Sequence, residues 1–310
     1  MGTEEPPGEA EREPGPPFTE GRARALLAAA GERAGTGGAE LLALGENAVF
    51  ALRAARETGE PAVVRVGRGP WQHERAAREL RVAAWLEERG VPAVRAARPG
   101  VTVVDGHPLT YWRRLPGPVR AATPADLAEL LRLVHALPAP PFPLPRRDLL
   151  SGVERWLRLA GEAVPAEDAA WLRTRRDEYE AAVARLTPVL PPGPVHGDAL
   201  PRNVHVGPGG PLLLDLETFC DDMREHDLTV LVLSLDRYGL PVREYDRFVR
   251  GYGWDVREWP GCTVLKSARE TASCAWVAQH APGNPAARRE FDRRVASLRE
   301  DDATVRWHAF

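Results

Sequence analysis

Apolar positions in this chain first come in short strand-length runs and then settle into helical spacing. Glu40-Leu41-Leu42-Ala43-Leu44 and Ala48-Val49-Phe50-Ala51-Leu52 flank Gly45-Glu46-Asn47, which predicts two strands joined by a turn. Pro61 to Val66 predicts a third strand. Val101–Val104 and Leu109–Trp112 predict a strand pair around Asp105-Gly106, a dipeptide suited to a tight hairpin turn. Between these runs, Ala76, Ala77, Leu80, Ala83, Ala84 and Trp85 recur at the spacing of one helix face, which predicts a helix over 73–89. Ahead of the strands, Thr19 is placed to cap a helix through Leu26 and Leu27 that ends near Gly31.

After Leu115-Pro116-Gly117 helical spacing takes over. Thr123 followed by Pro124 predicts a helix reaching Leu137, with proline at its first position. Further helices are expected around 148–160, 165–186, 224–237, 242–251, 263–281 and 284–300, and the stretch 194–216 interrupts them with a loop and short strands. The predicted fold class is α+β and bilobal. Residues 1–17, rich in Glu, Pro and Gly, read as a disordered tail. Residues 18–113 form a small antiparallel sheet lobe, and 114–310 a larger, mostly helical lobe, with a Pro- and Gly-rich junction at 114–122.

Composition narrows the function. A chain of 310 residues with 44% hydrophobic content has ample material for a core. A net charge of -3 offers no electrostatic case for nucleic acid or an anionic membrane surface. Cys220, Cys262 and Cys274 lack the spacing of a disulfide framework or zinc site, which fits a reducing cytoplasm. The acidic, Pro-rich start does not resemble a secretion signal, and no apolar run approaches the roughly 18 residues of a membrane span. The expectation is a cytoplasmic protein without nucleic-acid or membrane partners. Lys266 is the only lysine, so almost all cationic side chains are arginine.

The richest chemistry lies in His196-Gly197-Asp198-Ala199-Leu200-Pro201-Arg202-Asn203 and in the apolar run Leu212-Leu213-Leu214 ending in Asp215. A carboxylate, an amide and a second carboxylate around a turn and a short strand suit phosphoryl transfer from a metal-bound nucleotide. Asp198 is the candidate base for a hydroxyl, and Asn203 and Asp215 are hard oxygen ligands for Mg²⁺. His196 reads as a structural residue that holds the loop. Glu217, Asp221, Asp222 and Glu225 follow as an acidic cluster, either an attractor for a cationic substrate or a mixed surface with Arg202 and Arg224. Trp254, Trp259, Glu270, Trp276 and Gln279 are candidates for an acceptor pocket, although aromatic residues at helical spacing usually belong to a core.

These motifs closely resemble the aminoglycoside phosphotransferase family, which shares its fold with the protein kinases. The family pattern is H-G-D, an Asn a few residues on, then a hydrophobic strand ending in D-x-[DE], here Asp215-Leu216-Glu217. Residues 40–53 look like the hairpin over the nucleotide, 61–66 like the strand that presents a cation, 73–89 like the helix facing it, and Tyr111 to Gly117 like the lobe junction. Arg224 to Leu228 resembles a later stretch with a structural Asp at Asp227. The resemblance implies that Asp198 is the catalytic base and that Asn203 and Asp215 bind Mg²⁺. It also implies that a strand cation contacts nucleotide phosphates and pairs with a helix carboxylate. The cation position, usually Lys, holds Arg65, and the favoured partner is Glu79, with Glu74 the other candidate. Gly45 and Asn47 belong to the turn over the phosphates, where backbone amides would make the contacts.

The implied function is an ATP-dependent small-molecule kinase, with GTP as the other candidate donor and Mg²⁺ as cofactor. It would phosphorylate a hydroxyl of an aminoglycoside-like or other small acceptor. The alternatives are a kinase-like module that binds nucleotide or metabolite without turnover, and a metal-dependent phosphohydrolase.

Overall fold

The computed structural model describes residues 18–32, 38–45 and 47–308; the expected tail at 1–17 and Glu46 of the first hairpin lie outside them. The described residues fall into two compact units. One comprises the chain up to Ala121 together with Val204–Thr218, the other Ala122–Asn203 together with the chain from Phe219.

The first unit begins with α1 (Glu20–Ala29), capped by Thr19, whose hydroxyl accepts from Arg22 N at 3.2 Å. Five antiparallel strands follow: β1 (Ala39–Leu44), β2 (Asn47–Leu52), β3 (Ala62–Gly67), β4 (Thr102–Val104) and β5 (His107–Arg113), in spatial order β1-β2-β3-β5-β4. The period of two along β2 and β3 sends Ala48, Phe50, Leu52, Val64 and Val66 into one core with Leu26, Leu27 and Tyr111. Arg65 therefore points to the opposite sheet face, in register with Val49 and Thr110. Asp105 and Gly106 both have positive φ (48° and 77°), as the tight β4–β5 turn requires. Helix α2 (His73–Glu88) buries Leu80, Val82, Ala83, Trp85 and Leu86, and Glu79 with them. The hairpin of Val204–Gly207 and Gly210–Leu213 joins this unit through backbone bonds: Leu213 N to Pro92 O, Val94 N to Leu213 O and Val119 N to Val206 O, at 2.8–3.0 Å.

The second unit is mostly helical: α3 (Pro124–His135), α4 (Gly152–Ala160), α5 (Ala166–Val183), α6 (Glu225–Arg237), α7 (Val242–Tyr252), α8 (Gly261–Ala278) and α9 (Pro285–Arg299). Helix α3 opens with a capping box, Thr123 with Asp126, and with Pro124 inside its first turn. Helix α8 runs through the middle, packed against α4, α5, α6 and α9. Its alanines 268, 272, 275 and 278 meet Val153, Leu157, Leu172 and Phe291 in one core. Before α4 the chain runs beside the strand Cys220–Asp222, with Asp221 N donating to Pro145 O at 2.9 Å. That strand pairs antiparallel with Gly193–Val195, Val195 opposite Cys220, and the pair delivers the chain to His196.

Candidate active site

The loop that carries Asp198 hangs on a buried carboxylate. Asp227, in the first turn of α6, accepts His196 N at 2.7 Å and Gly197 N at 2.8 Å. His135 Nε2 lies 3.2 Å from the same carboxylate, and His135 Nδ1 meets Tyr252 Oη at 2.8 Å. Burial works to raise the Asp227 carboxyl, but the hydrogen bond and charge of His135, with the His196 amide, hold it down at about 2. Gly197 turns the chain at φ 84°, where a side chain would be strained. Asp198 N donates to His196 Nδ1 at 3.3 Å, which ties the ring to the loop it supports. Buried and edge-on to Phe219, His196 is a post for the loop.

Asp198 is anchored through one oxygen. Its Oδ2 accepts from Asn203 Nδ2 and from Arg202 Nη2, both at 2.9 Å, and Asn203 Nδ2 also reaches Asp198 O at 2.8 Å. Burial opposes its charge, but Arg202, Arg269, His196 and the Asn203 bond together lower its pKa, so the carboxylate stays ionised. Its Oδ1 has no hydrogen bond among the described residues, and neither has Asn203 Oδ1. The 3₁₀ turn Pro201–Asn203 fixes Asn203, whose N donates to Leu200 O at 2.9 Å.

In the first unit, Arg65 Nη1 donates to both oxygens of Glu79, at 2.9 and 2.8 Å. Glu79 is 3% exposed on α2, whereas Glu74 is exposed. Glu217 Oε2 lies 3.6 Å from Arg65 and 3.9 Å from Arg75. Burial disfavours the Arg65 charge, but Glu79, Glu217 and Asp215 outweigh it and raise its pKa. Burial likewise pushes Glu79 up, Arg65 opposes this, and Glu217 with Asp215 adds to it, leaving the carboxyl at about 7. Asp215 has the left-handed φ of 54°, a sparsely populated region for a non-glycine residue, and its carboxylate has no hydrogen bond among the described residues.

The turn at 45–47 is tied to the start of α2. Gly45 O accepts from the Arg68 guanidinium, with Nε at 2.8 Å, and Asn47 Oδ1 accepts from Gln72 Nε2 at 3.2 Å. Asn47, Arg65, Gln72, Arg75, Glu79 and Glu217 line one pocket of this unit. Gln72 and Arg75 were not singled out in the sequence. The signal was there for Arg75, which sits four residues before Glu79 and so shares its helix face.

Two members of the acidic cluster serve the fold. Asp222 accepts from Arg147 N and Met223 N, at 3.0 and 2.7 Å; Glu225, fully buried, accepts from Val189 N and Leu190 N, at 2.7 and 2.8 Å. Among the pocket candidates, Trp259 is buried and donates to Thr187 O at 3.1 Å, and Glu270 is paired with Arg237 at 2.6 Å. Trp276 stacks edge-on with His280, and Gln279 donates to Trp276 O. None of the described helices is long and apolar enough to cross a membrane, and the described residues contain no cluster of three or more His, Cys, Asp or Glu suited to a metal.

No curated protein matches the chain closely. Among solved structures it is similar to the amicoumacin kinase hAmiN in complex with AMP-PNP, Ca²⁺ and Ami (TM-score 0.66, 14% identity, covering 88% of this chain and 91% of that one). It is also similar to a choline/ethanolamine kinase family protein from Mesorhizobium loti (TM-score 0.58, 22% identity, 92% and 96%) and to an aminoglycoside-3'-phosphotransferase of type VIII (TM-score 0.55, 22% identity, 80% and 98%). These likenesses establish a protein-kinase-like fold. The profile of the phosphotransferase enzyme family matches residues 40–265, which include both motifs and the Arg65–Glu79 pair, and the chain belongs to that family.

Proposed function

We propose that this phosphotransferase moves the γ-phosphoryl group of ATP to a hydroxyl of a small molecule. The observation that supports this best is Asp198 itself. Its carboxylate is kept ionised, is held by Asn203 and Arg202 through one oxygen, and has the other oxygen unengaged. That oxygen accepts the hydroxyl proton as the acceptor oxygen bonds to the γ-phosphorus and the bond to ADP breaks. Arg65, oriented by Glu79, neutralises nucleotide phosphates beside the turn at Gly45 and Asn47, whose Gly45 N–H is itself taken by Asn47 O at 3.0 Å. Asn203 Oδ1 in the second unit and the Asp215 carboxylate in the first are each an unengaged hard oxygen of the kind Mg²⁺ takes. Bound there, the ion would supply charge neutralisation of the phosphates. A cytoplasmic location agrees with the three free cysteines.

Replacing Asp198 with Asn tests the assignment. Labelled γ-phosphate transfer from ATP to a panel of alcohols should fall by roughly 10²–10⁴-fold. Thermal stability and the stabilisation by ATP with Mg²⁺ should persist. Full transfer in D198N would remove Asp198 as the base. Nucleotide binding without transfer by the unmodified chain to any alcohol in the panel would favour the non-catalytic reading.

A further inference from the structure

Buried arginines in this protein are normally paired: Arg294 with Glu290 at 2.8 Å, Arg237 with Glu270 at 2.6 Å, and Arg98 with Glu32. Three arginines of the second unit break that rule, Arg147, Arg224 and Arg269, each with its Nε buried and without an acceptor, and of these Arg147 and Arg269 act on one another. Arg269, on α8, is 8% exposed, and its one side-chain hydrogen bond among the described residues runs from Nη2 to His226 O at 2.9 Å. Its Nε is buried without an acceptor. Arg147 is half-buried; its backbone N–H holds Asp222, its guanidinium makes no ion pair among the described residues, and its Nε is likewise buried without an acceptor. His226 contributes a further nitrogen of this kind, Nδ1, with its Nε2 3.9 Å from Asp222 Oδ1.

The neighbouring carboxylates have other partners. Asp227 takes the loop amides and His135, Asp222 takes the Arg147 and Met223 amides, and Asp198 takes Asn203 and Arg202 through Oδ2, keeping Oδ1 for the acceptor hydroxyl. Geometry links the groups in a chain: Arg269 donates to His226 O, His226 Nε2 lies 3.9 Å from Asp222 Oδ1, and Asp222 accepts Arg147 N. Burial, then the charge of Arg147, drives the Arg269 guanidinium down to about 10 despite the pull of Asp198. Burial and the charge of Arg269 drive His226 down to about 4, so its ring is neutral at pH 7. Geometry also ties the cluster to the Asp198 loop: Arg147 is bonded to the strand Cys220–Asp222, and that strand pairs with the one leading into His196.

We infer that the acceptor alcohol carries an anionic group, a carboxylate or a phosphate, which docks on Arg147 and Arg269 while its hydroxyl faces Asp198. This rests on the phosphotransfer reading, which supplies the role of Asp198. Arg147 is half-buried and Arg269 is buried. A planar or tetrahedral oxyanion would satisfy the stranded N–H donors and relieve the repulsion between the two guanidiniums, whereas a cationic acceptor would add to it. Of the acidic residues that suggested a cationic acceptor, Asp222 and Glu225 accept from backbone amides, Glu225 through Oε1 only, and Glu217 lies beside Arg65 and Arg75.

The test is a matched series of short alcohols, titrated calorimetrically into the full chain at constant ionic strength. The probes are hydroxypropanoate, propanediol monophosphate, hydroxypropanamide and aminopropanol. The carboxylate or the phosphate should bind at least about tenfold more tightly than the amide and the amine. The R147Q variant should erase that preference, and R269K, which keeps the charge, should reduce it. A preference for hydroxypropanoate names a hydroxy acid, and one for the monophosphate names a phosphomonoester. Equal binding across the series, preference for the amine, no binding at all, or a preference that survives in R147Q would overturn the inference. Stabilisation by ATP with Mg²⁺ is measured in parallel. Its absence would remove the phosphotransfer reading, while an anion preference lost in R147Q would still stand as a binding site.

Discussion

The two units bury charge in opposite ways. In the first, Glu79, Glu217 and Asp215 all act on Arg65, with Arg75 beside Glu217. In the second, Arg147 and Arg269 lie together without a direct carboxylate partner. The same desolvation raises Glu79 to about 7 and lowers Arg269 to about 10. The lesson is that one unit surrounds a buried guanidinium with carboxylates, while the other sets two guanidiniums near one another without a carboxylate bonded to either.

The sharpest way to break this comparison is to delete one arginine from each unit. R65A strands Glu79, 3% exposed, beside two more carboxylates, and should cost about 3–5 kcal/mol in urea unfolding. R269M removes a charge that no carboxylate grips and loses mainly the bond to His226 O, so it should cost about 1–2 kcal/mol. Equal losses would show that the second cluster is an ordinary structural ion network.

Acidity should separate the two units by sign. Glu79 is raised from 4.5 to about 7, so its contribution is complete below pH 4.5 and is lost as pH rises through 7. His226 is depressed from 6.5 to about 4, so its contribution is complete above pH 6.5 and is lost as pH falls toward 4. Each amounts to about 3 kcal/mol at the limit. Between pH 4.5 and 6.5 they oppose each other, and the unfolding temperature of the unmodified protein should be nearly flat there. E79Q removes the Glu79 term, so its unfolding temperature should climb with pH over that range. A profile for E79Q that stays flat would show that His226 is not held neutral by its surroundings.

How far the sequence could be read depends on the range of the interactions. The strand runs, the helix faces and the Asp105-Gly106 turn are local, and their elements lie where periodicity puts them. Asp198 and Asn203 are likewise local to one loop, joined at 2.9 Å, and Glu79 follows from helix spacing beside a strand cation. Two things were hidden. The attachment of the 204–213 hairpin to the first unit depends on backbone bonds to Pro92, Val94 and Val119, which leave no mark in side-chain pattern. Arg147 and Arg269 were hidden by composition. With Lys266 the only lysine, arginine is so common that two unpaired ones cannot be told from the rest until their partners are counted. The acidic residues after Asp215 were conspicuous for the opposite reason, because clustering in sequence resembles a surface for ligand although two of them, Asp222 and Glu225, hold backbone amides.

The smallest effect compares the caps at which the two units open their helices. Thr123 and Asp126 reciprocate, with Asp126 Oδ2 accepting Thr123 N at 2.8 Å and Thr123 Oγ1 accepting Asp126 N at 3.4 Å. Thr19 has only its bond from Arg22 N at 3.2 Å, at an exposed position. Thr123→Ala should therefore cost about 1–2 kcal/mol and Thr19→Ala about 0.5–1 kcal/mol. Helix α3 also sets His135 against Asp227, so loosening its start should weaken the support of the Asp198 loop, while α1 only covers the sheet core. Amide exchange separates the two: T123A should speed exchange at His196 and Gly197, and T19A should leave both unchanged. Faster exchange at those amides in T19A would mean that their protection is set by global unfolding rather than by the Asp227 anchor.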